Sequence, residues 1–149
     1  MWSLLIAVSS CFQVSDDGVG AGMDAQPVAD AAEPDDCNRD SDPAIQVPYT
    51  LIAERLTSAS WRCDDCHRPG KNGTNHSGFD ISSYETLMRG GARSGSTIVV
   101  PGRPCDSILY KKLLPKPPFG DRMPEGSRAL SAADLATVHD WIAEGALEN

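Results

Sequence analysis

The string Cys63-Asp64-Asp65-Cys66-His67 constrains this 149-residue chain more than any other feature. Two thiols three residues apart, followed at once by an imidazole, match the geometry of c-type haem attachment. Each thiol must reach one of two vinyl groups on adjacent edges of a single porphyrin. The next residue must bring a nitrogen to the iron, and one helical turn after Cys63 satisfies all three demands. His67 is then the proximal iron ligand.

Other chemistries fit the string less well. A thioredoxin-like redox pair belongs to a βαβ pattern, and none is visible. A zinc site needs two further ligands. Cys37, Cys105, His76 and His67 are the candidates, but no second C-x-x-C exists. A sixth iron ligand is expected from Arg122-Met123-Pro124, a loop before the last predicted helix. A thioether suits iron in either oxidation state and raises the reduction potential. Pro124 fixes its own φ and restricts Met123. The rival ligands are Met88, which falls on an apolar helical stripe, and His76 and His139.

The net charge of −8 is unevenly placed. Residues 11–43 carry nine acidic side chains against Arg39 alone, whereas the chain from Ala44 onward is balanced. The leader is rich in Gly, Pro, Ala and Asp, with Phe12 as its single aromatic. Such a stretch cannot bury enough apolar area to offset its ordering entropy, so a self-repelling tether is expected. The acidity argues against nucleic acid as a partner. No apolar run approaches the roughly 18 residues of a spanning helix. Arg103, Lys111, Lys112, Lys116 and Arg122 make the later region locally basic, which reads as a solvated face.

Residues 1–11, MWSLLIAVSSC, suit the apolar part of an export signal. The ending Val8-Ser9-Ser10-Cys11 resembles a bacterial lipobox, although no Lys or Arg precedes the apolar run. That resemblance implies a signal peptide over 1–10 and lipidation of Cys11. The tether then spans 11–43 and a domain spans 44–149. The expected location is the periplasmic or cell-envelope face of a bacterial membrane, with lipid as the anchor.

Within the domain, Tyr49, Ile52, Leu56 and Ala59 form one helical stripe in Gln46–Ser60. Further helices are expected over Asp80–Gly91, from Asp106 or Ser107 to Leu113, and from Ser131 to Gly145. Residues 68–78, 91–104 and 114–127 read as loops. Only Thr97–Val100 looks strand-like. The expected class is all-α, with about three to five helices and long loops around one haem.

From about Val47 to Ala146 the chain resembles single-haem class I cytochrome c domains, more closely the planctomycete type of cytochrome c-like domain. The residues that carry the resemblance are Cys63–His67, Gly78–Met88, Gly90-Gly91, Val100–Pro104, Ser107–Tyr110, Arg122–Pro124 and Trp141–Ala146. The resemblance implies one covalent haem c on Cys63 and Cys66, with His67 and Met123 as axial ligands. It also implies an N-terminal helix crossing the C-terminal one at Trp141 or Ile142.

Two cysteines remain, Cys37 and Cys105, which in an oxidising compartment are a candidate disulfide. One haem with both axial positions filled leaves no open substrate site. The expected role is therefore one-electron transfer to unidentified redox partner proteins, not enzymatic catalysis. The alternatives are a haem-based redox or gas sensor or small peroxidase with a labile sixth ligand, and a zinc-binding structural module.

Overall fold

Local sequence sets where each helix starts and stops. In a computed structural model the described residues are 36–126 and 129–149. Among the described residues there are five α-helices: α1 (Tyr49–Leu56), α2 (Asn72–Ser77), α3 (Tyr84–Arg89), α4 (Ile108–Leu113) and α5 (Ala132–Ala143). No strand occurs among the described residues, so the fold is all-α.

Pro48 precedes α1 in an extended conformation, where its missing N–H is no loss. Ile52 and Leu56, four residues apart, turn to the core and are buried. The helix spans Tyr49–Leu56, inside the expected Gln46–Ser60. The Thr57 and Ser58 hydroxyls donate to the Ala53 and Arg55 carbonyls and stop the ladder. α3 starts with a capping box. The Ser83 hydroxyl accepts from Thr86 N–H while the Thr86 hydroxyl accepts from Ser83 N–H. Gly90, at φ +72°, ends it. Ser131 caps α5 by accepting from Asp134 N–H.

Ser107 stands at the N-cap of α4 but does not cap it. Its fully buried hydroxyl instead accepts from Val100 N–H and donates to the Arg103 carbonyl. That knits the turn leading into the helix. The strand-like Thr97–Val100 is a 3₁₀ turn at Gly95–Thr97 followed by irregular chain. Ile98 and Val99 are both buried, so the segment lacks the alternation a half-buried strand needs. The span expected as a loop over 68–78 contains α2. Its N–H groups reach outside the helix: Thr74 N–H donates to the Cys66 carbonyl.

α1 packs on α5, as does α4. Tyr49 lies 6.0 Å from the Trp141 ring at that contact. Trp61, Leu87, Trp141 and Ile142 are buried in the same core. Each such side chain contributes roughly 1.5–3 kcal/mol by leaving water. The Tyr84 hydroxyl donates to the Ala146 carbonyl and ties α3 to the end of α5.

Residues just before the expected boundary at Ala44 also make contacts with the body. Ser41 donates to both carboxylate oxygens of Asp140, from its N–H at 3.0 Å and from its hydroxyl. His139 Nε2 donates to the Cys37 carbonyl at 2.8 Å, and Asn38 Oδ1 accepts from Cys105 N–H. Cys37 and Cys105 are joined by a disulfide. Residues 37–41 are held there by contacts 67 to 102 residues away in sequence. Cys11, the signal reading of 1–10 and most of the expected tether lie outside the described residues.

Candidate functional site

Cys63–Asp65 forms one 3₁₀ turn, entered through Arg62 in the left-handed region at φ +54°. Cys66 and His67 N–H groups both donate to the Cys63 carbonyl, at 3.3 and 2.9 Å. The turn thus closes the spacing that the sequence demanded. Cys63 and Cys66 are both free thiols. Burial pushes the Cys63 thiol up to about 12, helped by the nearby Asp64 carboxylate, so it stays protonated at neutral pH. Cys66 is exposed.

His67 is oriented from behind. Its Nδ1–H points to the Phe79 carbonyl at 3.4 Å, and its ring stands edge-on to Phe79 with centroids 5.2 Å apart. Its own carbonyl accepts from Ile81 N–H. Burial lowers its pKa, and the Lys112 charge adds to that against the opposing pull of the Phe79 carbonyl. The result is a neutral imidazole with Nδ1–H engaged, which leaves the Nε2 lone pair for a metal.

Cys63, Cys66, His67 and Met123 all line one cavity of about 760 Å³. Cofactor pockets usually measure roughly 300–1,000 Å³. Much of the wall is apolar, including Ile52, Leu56, Ile81, Ile98 and Leu109. Met123 is half-buried, and its N–H donates to the Lys112 carbonyl at 2.8 Å. The Met123–Pro124 peptide bond is cis.

The rivals to Met123 separate clearly. Met88 is partly buried against the core and does not line the cavity. His139 sits on the far network with Asp140 and Cys37, away from the cavity. His76 lines the cavity from α2 but is exposed. Among the described residues no three His, Cys, Asp or Glu side chains gather as a metal cluster. Cys37 and Cys105 are taken by each other, so a zinc reading of Cys63 and Cys66 finds no ligand set there.

Three site residues carried no clear signal in the sequence. Trp61, buried two residues before Cys63, lines the cavity, and its indole N–H has no partner among the described residues. Gly73 lets α2 approach the Cys66 carbonyl, which a Cβ at that position would meet at 2.8 Å. Lys112 lines the cavity and is only partly exposed.

Residues 63–126 match the family model described as planctomycete cytochrome C. No curated protein and no solved structure matches the chain. The family implies covalent haem c, and it points to a cytochrome-type electron carrier more than to an enzyme. With the Cys63–His67 turn and Met123 on the walls of one apolar cavity, the match over residues 63–126 supports a cytochrome c-like domain similar to planctomycete cytochrome C.

Proposed function

We propose that this protein is an exported, lipid-anchored mono-haem c-type cytochrome that passes single electrons between redox partner proteins. The observation that carries the reading is the convergence of Cys63, Cys66, His67 and Met123 on one cavity. The residues present fit a haem. Two thiols stand ready for its vinyl groups, and a neutral imidazole and a thioether stand ready for its iron. The unpartnered Trp61 N–H is a buried donor beside the same space, suited to a carboxylate. A bound haem supplies one-electron chemistry at its iron.

The chain's own residues do the rest. The Cys63–Asp65 turn fixes the spacing, the Phe79 carbonyl orients His67, and the apolar wall excludes water. Burial of that kind and a thioether ligand both raise a haem potential. Export and the membrane anchor rest on the sequence of residues 1–11, and the partners are proteins that give and take one electron.

The test is a redox titration of the exported holo-protein with its absorption spectrum. A one-electron Nernst curve, a low-spin spectrum and a sulfur–iron charge-transfer band abolished by Met123→Ala support the reading. A high-spin haem that binds carbon monoxide readily moves the assignment to gas sensing or peroxidase chemistry.

A further inference from the structure

The loop carrying Met123 cannot hold itself together. Pro115, Pro117 and Pro118 have no N–H, and among the described residues no backbone N–H between Leu114 and Met123 makes a backbone hydrogen bond. Its carbonyls are instead gathered by one residue of α4. Lys112 Nζ donates to the Phe119 carbonyl at 2.7 Å and to the Asp121 carbonyl. The same ammonium lies 5.2 Å from the Phe119 ring centroid, and Arg93 stacks on that ring at 4.4 Å. The Lys112 carbonyl accepts from Met123 N–H, and Arg122 Nε donates to the Leu113 carbonyl. Gly120, at φ +54°, curves the loop around the ammonium, and a Cβ there would lie 3.5 Å from Nζ.

We propose that Lys112 is a positioning residue, whose ammonium and carbonyl clamp the Phe119–Met123 loop and so fix the Met123 sulfur at the sixth position of a haem iron. The proposal rests on the reading of Met123 as that ligand. Bonds from an ammonium are roughly twice as strong as neutral ones, which suits a loop with no ladder of its own. Side chain and carbonyl of one residue grip both ends of the five-residue span 119–123. Releasing that grip lowers the fraction of molecules with sulfur in place. An added ligand then competes better for the iron.

The experiment uses the full chain exported with the haem-attachment machinery. Lys112→Met, Lys112→Arg, the exposed control Lys116→Met and Met123→Ala are compared with wild type. The readouts are the sulfur–iron charge-transfer band, the reduction potential and the affinity for added imidazole. Lys112→Met is expected to keep gel-stable haem and helicity and to lose most of the band. Its potential falls, and it binds imidazole at least about tenfold tighter, as expected from the loss of two charge-assisted bonds. Lys112→Arg recovers the band, and Lys116→Met matches wild type.

Wild-type band and imidazole affinity in Lys112→Met overturn the proposal. Failure of Lys112→Arg to recover the band overturns it too, because the loss is then general damage. If Lys112→Met yields no holo-protein, Lys112→Gln, which keeps a neutral N–H donor group, takes its place, with the same changes expected at smaller size. A band that survives Met123→Ala brings down the ligand reading itself, which distinguishes the two failures.

Discussion

Replacing Cys37 and Cys105 together by Ala should destabilise the domain by about 4 kcal/mol. The disulfide joins residues separated by 68 positions, and cross-linking a loop of that length removes about 4 kcal/mol of chain entropy from the unfolded state. The folded state should change little. The segment keeps the Ser41–Asp140 pair, the His139 bond to the Cys37 carbonyl and the Asn38 bond to Cys105 N–H. Urea unfolding of the full chain, followed by far-UV circular dichroism, measures the difference. Native helicity should be retained and the m-value should rise, because the unfolded chain expands once the cross-link is gone. A cost below about 1 kcal/mol would show that the cross-link does not restrict the unfolded chain as the loop arithmetic requires. Loss of native helicity would refute the reasoning from the other side, because the bond would then be shaping the folded state.

Ile142→Ala should cost about 2–5 kcal/mol, since the side chain is fully buried beside Trp141, and thermal or urea unfolding measures it. Ser83→Ala removes the side-chain half of the α3 cap, the bond from Thr86 N–H, and should cost about 1 kcal/mol in the same assay. Asp140 is destabilised as an anion by burial, but hydrogen bonds from Ser41 and His139 outweigh this and hold its pKa below the usual carboxylate value. A depressed carboxylate contributes stability above its unfolded pKa, and that contribution disappears as pH falls through its folded one. Unfolding free energy should therefore drop as pH is lowered below about 4, and Asp140→Asn should flatten that slope. Gly73→Ala pushes a Cβ to 2.8 Å from the Cys66 carbonyl, so haem staining of the exported variant on a denaturing gel should fall below wild type.

The site was legible where chemistry fixes spacing. Cys63, Cys66 and His67 stand at intervals that a porphyrin would require, and that five-residue string brings two thiols and an imidazole to the wall of one cavity. α3 and α5 were legible because Ser83 and Ser131 supply local caps. What escaped was decided by contacts distant in sequence. Residues 68–78 hold Pro69, Gly70, Gly73 and Gly78, a poor helix by propensity. There α2 forms because Thr74 finds the Cys66 carbonyl and Gly73 permits the approach. Residues 36–43 read as tether because Asp and Pro dominate. Their partners on α5 are a hundred residues away. Lys112 belonged to an apparently solvated basic stretch, and nothing local marks it as the residue whose ammonium holds the Phe119 and Asp121 carbonyls.

Intact-mass spectrometry of the exported protein, with peptide mapping across Cys63–Arg68, tests the central claim most directly. The account predicts a mass increased by one haem that survives denaturation. The adduct should map to Cys63 and Cys66 and be lost in the Cys63→Ala, Cys66→Ala double variant. An unmodified mass, or a haem that dissociates on denaturation, would contradict the account.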